Sequence, residues 1–309
     1  MMTAIEPPGL RLASARKLAC LALLLIPAIA ATQAQQSGSA KWHLTWSDEF
    51  NGPNRSAPDP AKWSIEIGGK GFGNNEQETY TDRPANLQQK DGNLVITALK
   101  EDRTGSDNIP RHYTSARINT QNRFAQKYGR FEASIKLPTG KGIWPAFWLL
   151  GDNIPSAGWP KSGEIDILET IGAPSTMYST LHGPGYSGAH GISTKFELPP
   201  GQAVDTAFHL YAVEWAPNDI KFFFDDHLVA HRTPADLPPG TAWAYDHPFF
   251  ILLNLAVGGN WPRNPDETTV FPQQMLVDYV RVYTRDSPQP SPPSNESKQG
   301  RQCPSISKP

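Results

Sequence analysis

Three carboxylates stand among aliphatic residues in the run Gly163-Glu164-Ile165-Asp166-Ile167-Leu168-Glu169. Burying unpaired charge is costly, so such a run persists only where something uses it. In a β-strand successive side chains point to opposite faces, which puts Glu164 and Asp166 on one face and Ile165 and Ile167 on the other. Glu169, five positions after Glu164, falls on the wrong side of this count, and Leu168 falls beside the acids. A β-bulge, in which two residues oppose one on the neighbouring strand, would absorb Leu168 and return Glu169 to the acidic face.

A solvated strand face is one alternative for this row, although it would mix in Thr, Lys or Ser, because like charges stacked on one face repel. A metal site made from the same three acids is another. A retaining glycosidase needs what this strand offers: one carboxylate as nucleophile and one as acid/base, about 5–5.5 Å apart. With the bulge taking up one step, the Cα atoms of Glu164 and Glu169 would lie about 13 Å apart at a rise of roughly 3.3 Å per residue, so the two side chains must lean together. Glu is long enough to do so and Asp is not, which fits the long acids outside and the short Asp166 between them.

Elsewhere the chain reads as short alternating runs such as Asn93–Ala98, Arg130–Leu137 and Asp219–Asp226, separated by Gly, Pro, Asn and Asp clusters. No long segment of period 3.6 competes with them, so the fold class is all-β, and about 245 residues in one unit suit a large sandwich. A net charge of −2 over 309 residues favours a neutral, sugar-like substrate and argues against nucleic acid. The stretch Gly69-Lys70-Gly71-Phe72-Gly73 lacks the strand–helix setting of a dinucleotide loop. No nucleophile elbow, zinc-spaced His/Cys set or phosphate loop is present.

The ends of the chain read as processing and tail segments. Arg11, Arg16 and Lys17 precede the apolar run Leu18–Ala31, which is the length of a signal-peptide core and too short to span a membrane. Residues 1–34 are thus expected to be a signal peptide cut after Thr32-Gln33-Ala34, with Ala28-Ile29-Ala30 as the second choice. Cleavage would remove Cys20 and leave Cys303 as the sole thiol, excluding an internal disulfide. Residues 286–309 have linker composition, leaving 35–285 as the folded domain.

The string GEIDILET resembles the catalytic signature of glycoside hydrolase family 16, in the bulged form of its laminarinases, agarases and carrageenases. The similarity continues in order through WSDEFNG (46–52), GNNEQETYT (73–81), DGNLVITA (91–98), SARINT (115–120), YGRFEASIKLP (128–138), GIWPAFWLLG (142–151), LHGPGYSG (181–188) and the segment 254–283. The set resembles the endo-1,3-β-glucanase branch. It implies a concanavalin A-like β-jelly roll with a concave substrate cleft and retention through Glu164 as nucleophile, Glu169 as acid/base and Asp166 between them. Mixed-linkage glucan, a galactan such as agarose, or a non-catalytic glucan-binding role are the alternatives.

The resemblance also implies the cleft lining. Asn75, Glu76, Arg117 and His182 match positions that bind sugar hydroxyls, Trp159 a position that stacks sugar on the glycone side, and Trp261 a further subsite. Of Trp144 and Trp148 we expect one to face the groove and one the core. The loop after Trp261 departs from the branch, with Arg263 where Gly is common. No cofactor is implied for catalysis. A structural Ca²⁺ is implied at Glu49, Gly92 and Asp278, held by backbone carbonyls and one Asp, oxygen ligands that suit calcium. The implied partner is a β-glucan polysaccharide, met by a secreted or periplasmic monomer with no membrane contact once the leader is cut.

Overall fold

The computed structural model describes residues 41–105 and 107–286. The expected leader, its cleavage site, Cys303 and nearly all of the Pro-rich tail lie outside the described residues.

Two sheets close over one core. The first runs in the order β12 (Ile192–Glu197), β11 (Thr176–His182), β10 (Glu164–Glu169), β9 (Ile143–Gly151), β16 (Phe249–Val257), β7 (Arg117–Asn119) and β2 (Ser64–Glu66). The second runs β15 (His227–Arg232), β14 (Asp219–Phe224), β13 (His209–Ala216), β8 (Gly129–Lys136), β17 (Gln273–Arg285), β5 (Asn93–Thr104), β6 (Pro110–Ser115) and β3 (Glu78–Tyr80). On this sheet β1 (Trp42–Asp48) adds to β17 and β4 (Leu87–Lys90) to β5. This is the two-sheet, all-β sandwich that the alternating runs predict.

Period-two patterning builds the core. Tyr211, Val213 and Trp215 of β13 and Ile220, Phe222 and Phe224 of β14 point inward and are buried. They meet Phe147 and Leu149 of β9 and Ile251, Leu253 and Leu255 of β16 from the other sheet. β16 is buried along its whole length. Its second face carries Phe250 and Leu252, which form a small separate cluster with Leu150 under Trp148 and Ile154. That second face belongs to the surface on which the acids lie.

β17 crosses the second sheet with a step in its pairing to β8 between Val277 and Tyr279. Met275 and Val277 before the step and Val280 and Val282 after it are all buried. The extra residue keeps both halves facing the core and leaves Asp278 exposed at the step. The same device recurs on β10.

Candidate active site

β10 lies between β9 and β11, antiparallel to both. Against β9, Asp166 pairs with Trp148 and Leu168 with Phe147, so one residue of β10 is extra and Ile167 is the one left unpaired there. Against β11 the shift falls between Asp166 and Glu169. The expected bulge is therefore present, shared between Ile167 and Leu168 rather than absorbed by Leu168 alone. Both aliphatic side chains are fully buried in the main core. Each contributes about 1.5–3 kcal/mol of apolar burial, which favours the bulged register over one that exposes Leu168. Glu164, Asp166 and Glu169 consequently share the outer face.

Each outer acid accepts one indole hydrogen bond. Trp159 Nε1–H donates to Glu164 Oε2 at 2.9 Å, and Trp144 Nε1–H donates to Glu169 Oε1 at 2.9 Å. His182, opposite Glu164 on β11, places Nε2 3.1 Å from Asp166 Oδ2 and 3.7 Å from Glu164 Oε1. Gly191 makes room for this ring, since a Cβ there would come within 2.4 Å of His182 Cε1. Glu164, Asp166 and His182 also bring one ligand atom each within 4.8 Å of one another, a geometry able to hold a cation. Glu169 stands outside that trio.

The three carboxyls resist ionising together. Burial, then the charge of Asp166, pushes Glu164 up to about 8, opposed by His182, the Trp159 hydrogen bond and Arg117. Burial pushes Asp166 up to about 8, opposed by its hydrogen bond with Glu164. Glu169 is pushed well above the usual carboxylate range by burial and then by Asp166. Such a group titrates as a set and carries few negative charges near neutral pH. The Glu164 anion draws support from His182, Trp159 and Arg117, and that of Glu169 from His182 and Trp144.

Both β9 tryptophans face the cleft, which corrects the expectation that one turns to the core. Residues 144 and 148 are four apart on one strand and so share a face; Pro145 and Phe147 take the buried one. Trp148 Nε1–H donates to Asn254 Oδ1 at 2.8 Å. Asn254 Nδ2–H donates in turn to Tyr80 Oη at 3.3 Å, and Tyr80 Oη–H to Glu76 Oε2 at 3.1 Å. Glu76 is thus buried as the end of a relay that fixes Trp148. Arg117 stacks between the Phe72 and Trp148 rings at 4.8 and 4.9 Å and places Nε 3.0 Å from Glu66 Oε2.

Trp159 is half exposed beside Glu164, and Trp261 more than a third exposed beyond Glu169. Trp261 meets Trp144 edge-on at 5.6 Å and Tyr178 at 4.8 Å. Apolar ring faces thus flank the acids at both ends, the surface a pyranose stacks on. Asn75 binds Asn260 in the Trp261 loop, Nδ2–H to Oδ1, at 2.8 Å. Sequence reasoning missed Tyr178, Phe72 and Asn254. Tyr178 was within reach, because period two carries the cleft face from His182 through Thr180 to Tyr178, opposite Glu169. The signal for Asn254 is that it is the lone polar residue of the apolar run Phe249–Val257.

The residues implied for calcium converge through strand register. Leu94 pairs with Val277 and Asp48 with Val280, which brings the backbone beside Gly92 and Glu49 to either side of the Asp278 step. The Glu49 carboxylate is held by Arg281 at 3.0 and 2.7 Å, so Glu49 could offer a cation only its carbonyl. That fits a set of backbone oxygens plus one Asp.

A sandwich with an open face carrying a row of buried acids between aromatic platforms defines a carbohydrate-cleaving enzyme. The family model for glycosyl hydrolases family 16 matches residues 74–281. The chain is 40% identical over 255 residues to a β-glucanase of Rhodothermus marinus, covering 78% of this chain and 85% of the relative. It is 37% identical over 258 residues to a glucan endo-1,3-β-glucosidase of Cryptopygus antarcticus, covering 79% and 92%. Among solved structures, the catalytic domain of the endo-1,3-β-glucanase (laminarinase) of Thermotoga petrophila superposes with a TM-score of 0.76 at 44% identity, over 80% of this chain and all of that one. The chain belongs to glycoside hydrolase family 16 and has its jelly-roll fold. Within that family it is an endo-1,3-β-glucanase, an enzyme that needs no cofactor for its chemistry.

Proposed function

We propose that this endo-1,3-β-glucanase acts outside the cytoplasm on laminarin-type glucan and hydrolyses it with retention. Glu164 attacks the anomeric carbon while Glu169 protonates the leaving oxygen. Glu169 then serves as base for the water that releases the glycosyl-enzyme. The observation that carries this reading is the β10 bulge, which sets both Glu residues on one face with Asp166 between them.

The proton distribution supports the roles. Trp159 occupies Oε2 of Glu164 and leaves Oε1 for attack. Trp144 occupies Oε1 of Glu169, so the proton on Oε2 is free to be presented to the glycosidic oxygen. Asp166 shares a hydrogen bond with Glu164, and its charge helps keep Glu169 protonated.

Laminarin, barley mixed-linkage glucan, agarose and carrageenan supplied side by side test the substrate. We expect short oligosaccharides from laminarin foremost, with the β-anomer appearing first by proton NMR. An α-anomer as first product would sink retention, and products from agarose alone would overturn the substrate.

The leader composition supports export, with residues 1–34 removed. Where calcium is bound, the Glu49 and Gly92 carbonyls and the Asp278 carboxylate would hold it, and it would stabilise the junction of β1, β5 and β17. Calcium at 100 times its dissociation constant would add about 2.7 kcal/mol, or roughly 5–10 °C in melting temperature. The shift should vanish in Asp278→Ala; a melting temperature indifferent to calcium and chelator would refute the site.

A further inference from the structure

The retaining mechanism gives His182 no part, yet β11 sets its ring against two of the three acids. Nε2 lies 3.1 Å from Asp166 Oδ2 and 3.7 Å from Glu164 Oε1, and the three atoms all fall within 4.8 Å of one another. Trp159 engages Oε2 of Glu164 and leaves Oε1 to this trio. Asp166 is 3% exposed, and its Oδ2 accepts no hydrogen bond among the described residues, the close approach of His182 included. Three atoms with lone pairs thus converge with no N–H aligned between the nearest two. A buried oxygen so placed is costly unless a proton or a cation meets it.

The spacing fits one kind of cation. A tetrahedral ion with bonds of about 2.0–2.1 Å holds its ligand atoms about 3.3 Å apart, a value between the two His182 distances. Zinc and its first-row neighbours accept imidazole nitrogen and carboxylate oxygen together. Calcium and magnesium call for larger shells made of oxygen, which two carboxylates and an imidazole do not supply. The remaining position would open on the cleft, because Glu164 and His182 are only partly buried while Asp166 is closed off.

One further contact sets how long such an ion would stay. His182 Nδ1 is buried and has no hydrogen-bond partner among the described residues. The histidine of a resident metal ordinarily gives its second ring N–H to an acceptor, which fixes the ring and strengthens the bond. Without that acceptor, the site suits an ion that comes and goes.

We propose that Glu164 Oε1, Asp166 Oδ2 and His182 Nε2 form a reversible inhibitory site for a divalent transition-metal ion of the zinc type. The ion takes the place of protons held by these groups and releases them to solvent. It also ties up Oε1, the oxygen left for attack on the anomeric carbon, so metal and glucan exclude one another. The site stands on the geometry of the trio; its inhibitory effect rests on the nucleophile reading of Glu164 above.

The test titrates the full chain, kept in calcium, with cobalt(II) chloride and with zinc chloride. Cobalt should develop the visible absorption of a four-coordinate ion, and zinc should abolish it. Zinc should raise the apparent KM for laminarin with kcat held, and magnesium at the same concentration should do neither. His182→Gln should weaken both metals by more than about 100-fold, beyond the 10–100-fold that loss of an outer partner costs, each rate being compared with that variant's own metal-free rate. Glu164→Gln, followed by the cobalt spectrum alone, should lose the band as well, and it decides the matter if His182→Gln shows no cooperative melt. A band unchanged in the folded variants, or an active wild type indifferent to about 1 mM zinc, overturns the site. Cobalt bound through the trio in an enzyme whose laminarin cleavage zinc leaves untouched overturns the inhibition, and the nucleophile reading of Glu164 with it.

Discussion

Glu164→Gln is expected to abolish turnover of 1,3-β-glucan, with a loss of roughly 10⁴- to 10⁶-fold, while making the fold more stable near neutral pH. Activity falls because glutamine cannot form the glycosyl-enzyme, and the neighbouring Asp166 is too short to replace it. Stability should move the other way, for a reason whose sign follows from the raised acidities. Folding lifts Glu164 from 4.5 to about 8, so the native state binds protons that the unfolded chain has released. The stability from that preference is fully present below pH 4.5 and is lost as pH rises through about 8. An uncharged isostere removes the penalty, so the variant's advantage should be absent at pH 4 and grow toward pH 8, where a gain of about 2–8 °C in melting temperature is expected. Thermal melts of both proteins at the two pH values, with laminarin assays alongside, check this. A variant that loses activity and melts lower at pH 8 would mean that Glu164 is paired as an anion in the native state, against the burial of the row.

Glu169→Gln should separate the two chemical steps. On laminarin kcat/KM is expected to drop about 10²- to 10⁴-fold, because the leaving oxygen must depart without a proton. On a dinitrophenyl glycoside of a 1,3-linked glucobiose the leaving group needs no proton, so the first step should survive. The second step has lost its base, and the glycosyl-enzyme should accumulate. A rapid release of one dinitrophenolate per enzyme followed by slow turnover is therefore the expected trace. Equal losses on both substrates, with no burst, would remove Glu169 from the acid/base role. In the wild type, activity should fall at alkaline pH as Glu169 loses its proton, whose affinity burial and Asp166 have raised.

The face on which each residue would lie was largely legible before any coordinates. Short apolar alternations announced the strands, and the acidic row required an extra residue between Asp166 and Glu169. The structure places that residue there, with Ile167 and Leu168 both in the core. The one parity error, splitting Trp144 and Trp148 between faces, came from setting aside the period-two rule within β9. Long-range partnerships were not legible. The Glu76–Tyr80–Asn254–Trp148 relay joins residues up to 178 positions apart along the chain, and neither Glu76 nor Asn254 signals its partner locally. Arg117 likewise pairs with Glu66 and is wedged between the Phe72 and Trp148 rings, contacts that its neighbours along the chain do not announce.

By itself, then, the sequence determined the period of each strand, the all-β class and the row of acids that only a bulge reconciles with a core, because those follow from local backbone geometry and the expense of burying charge. Tertiary structure alone decided which indole N–H meets which carboxylate, how far each acid is shifted, and which residues join the relay behind Trp148. Acidity and hydrogen-bond partnership depend on the dielectric and on groups brought close by folding, and neither is carried by nearest neighbours along the chain.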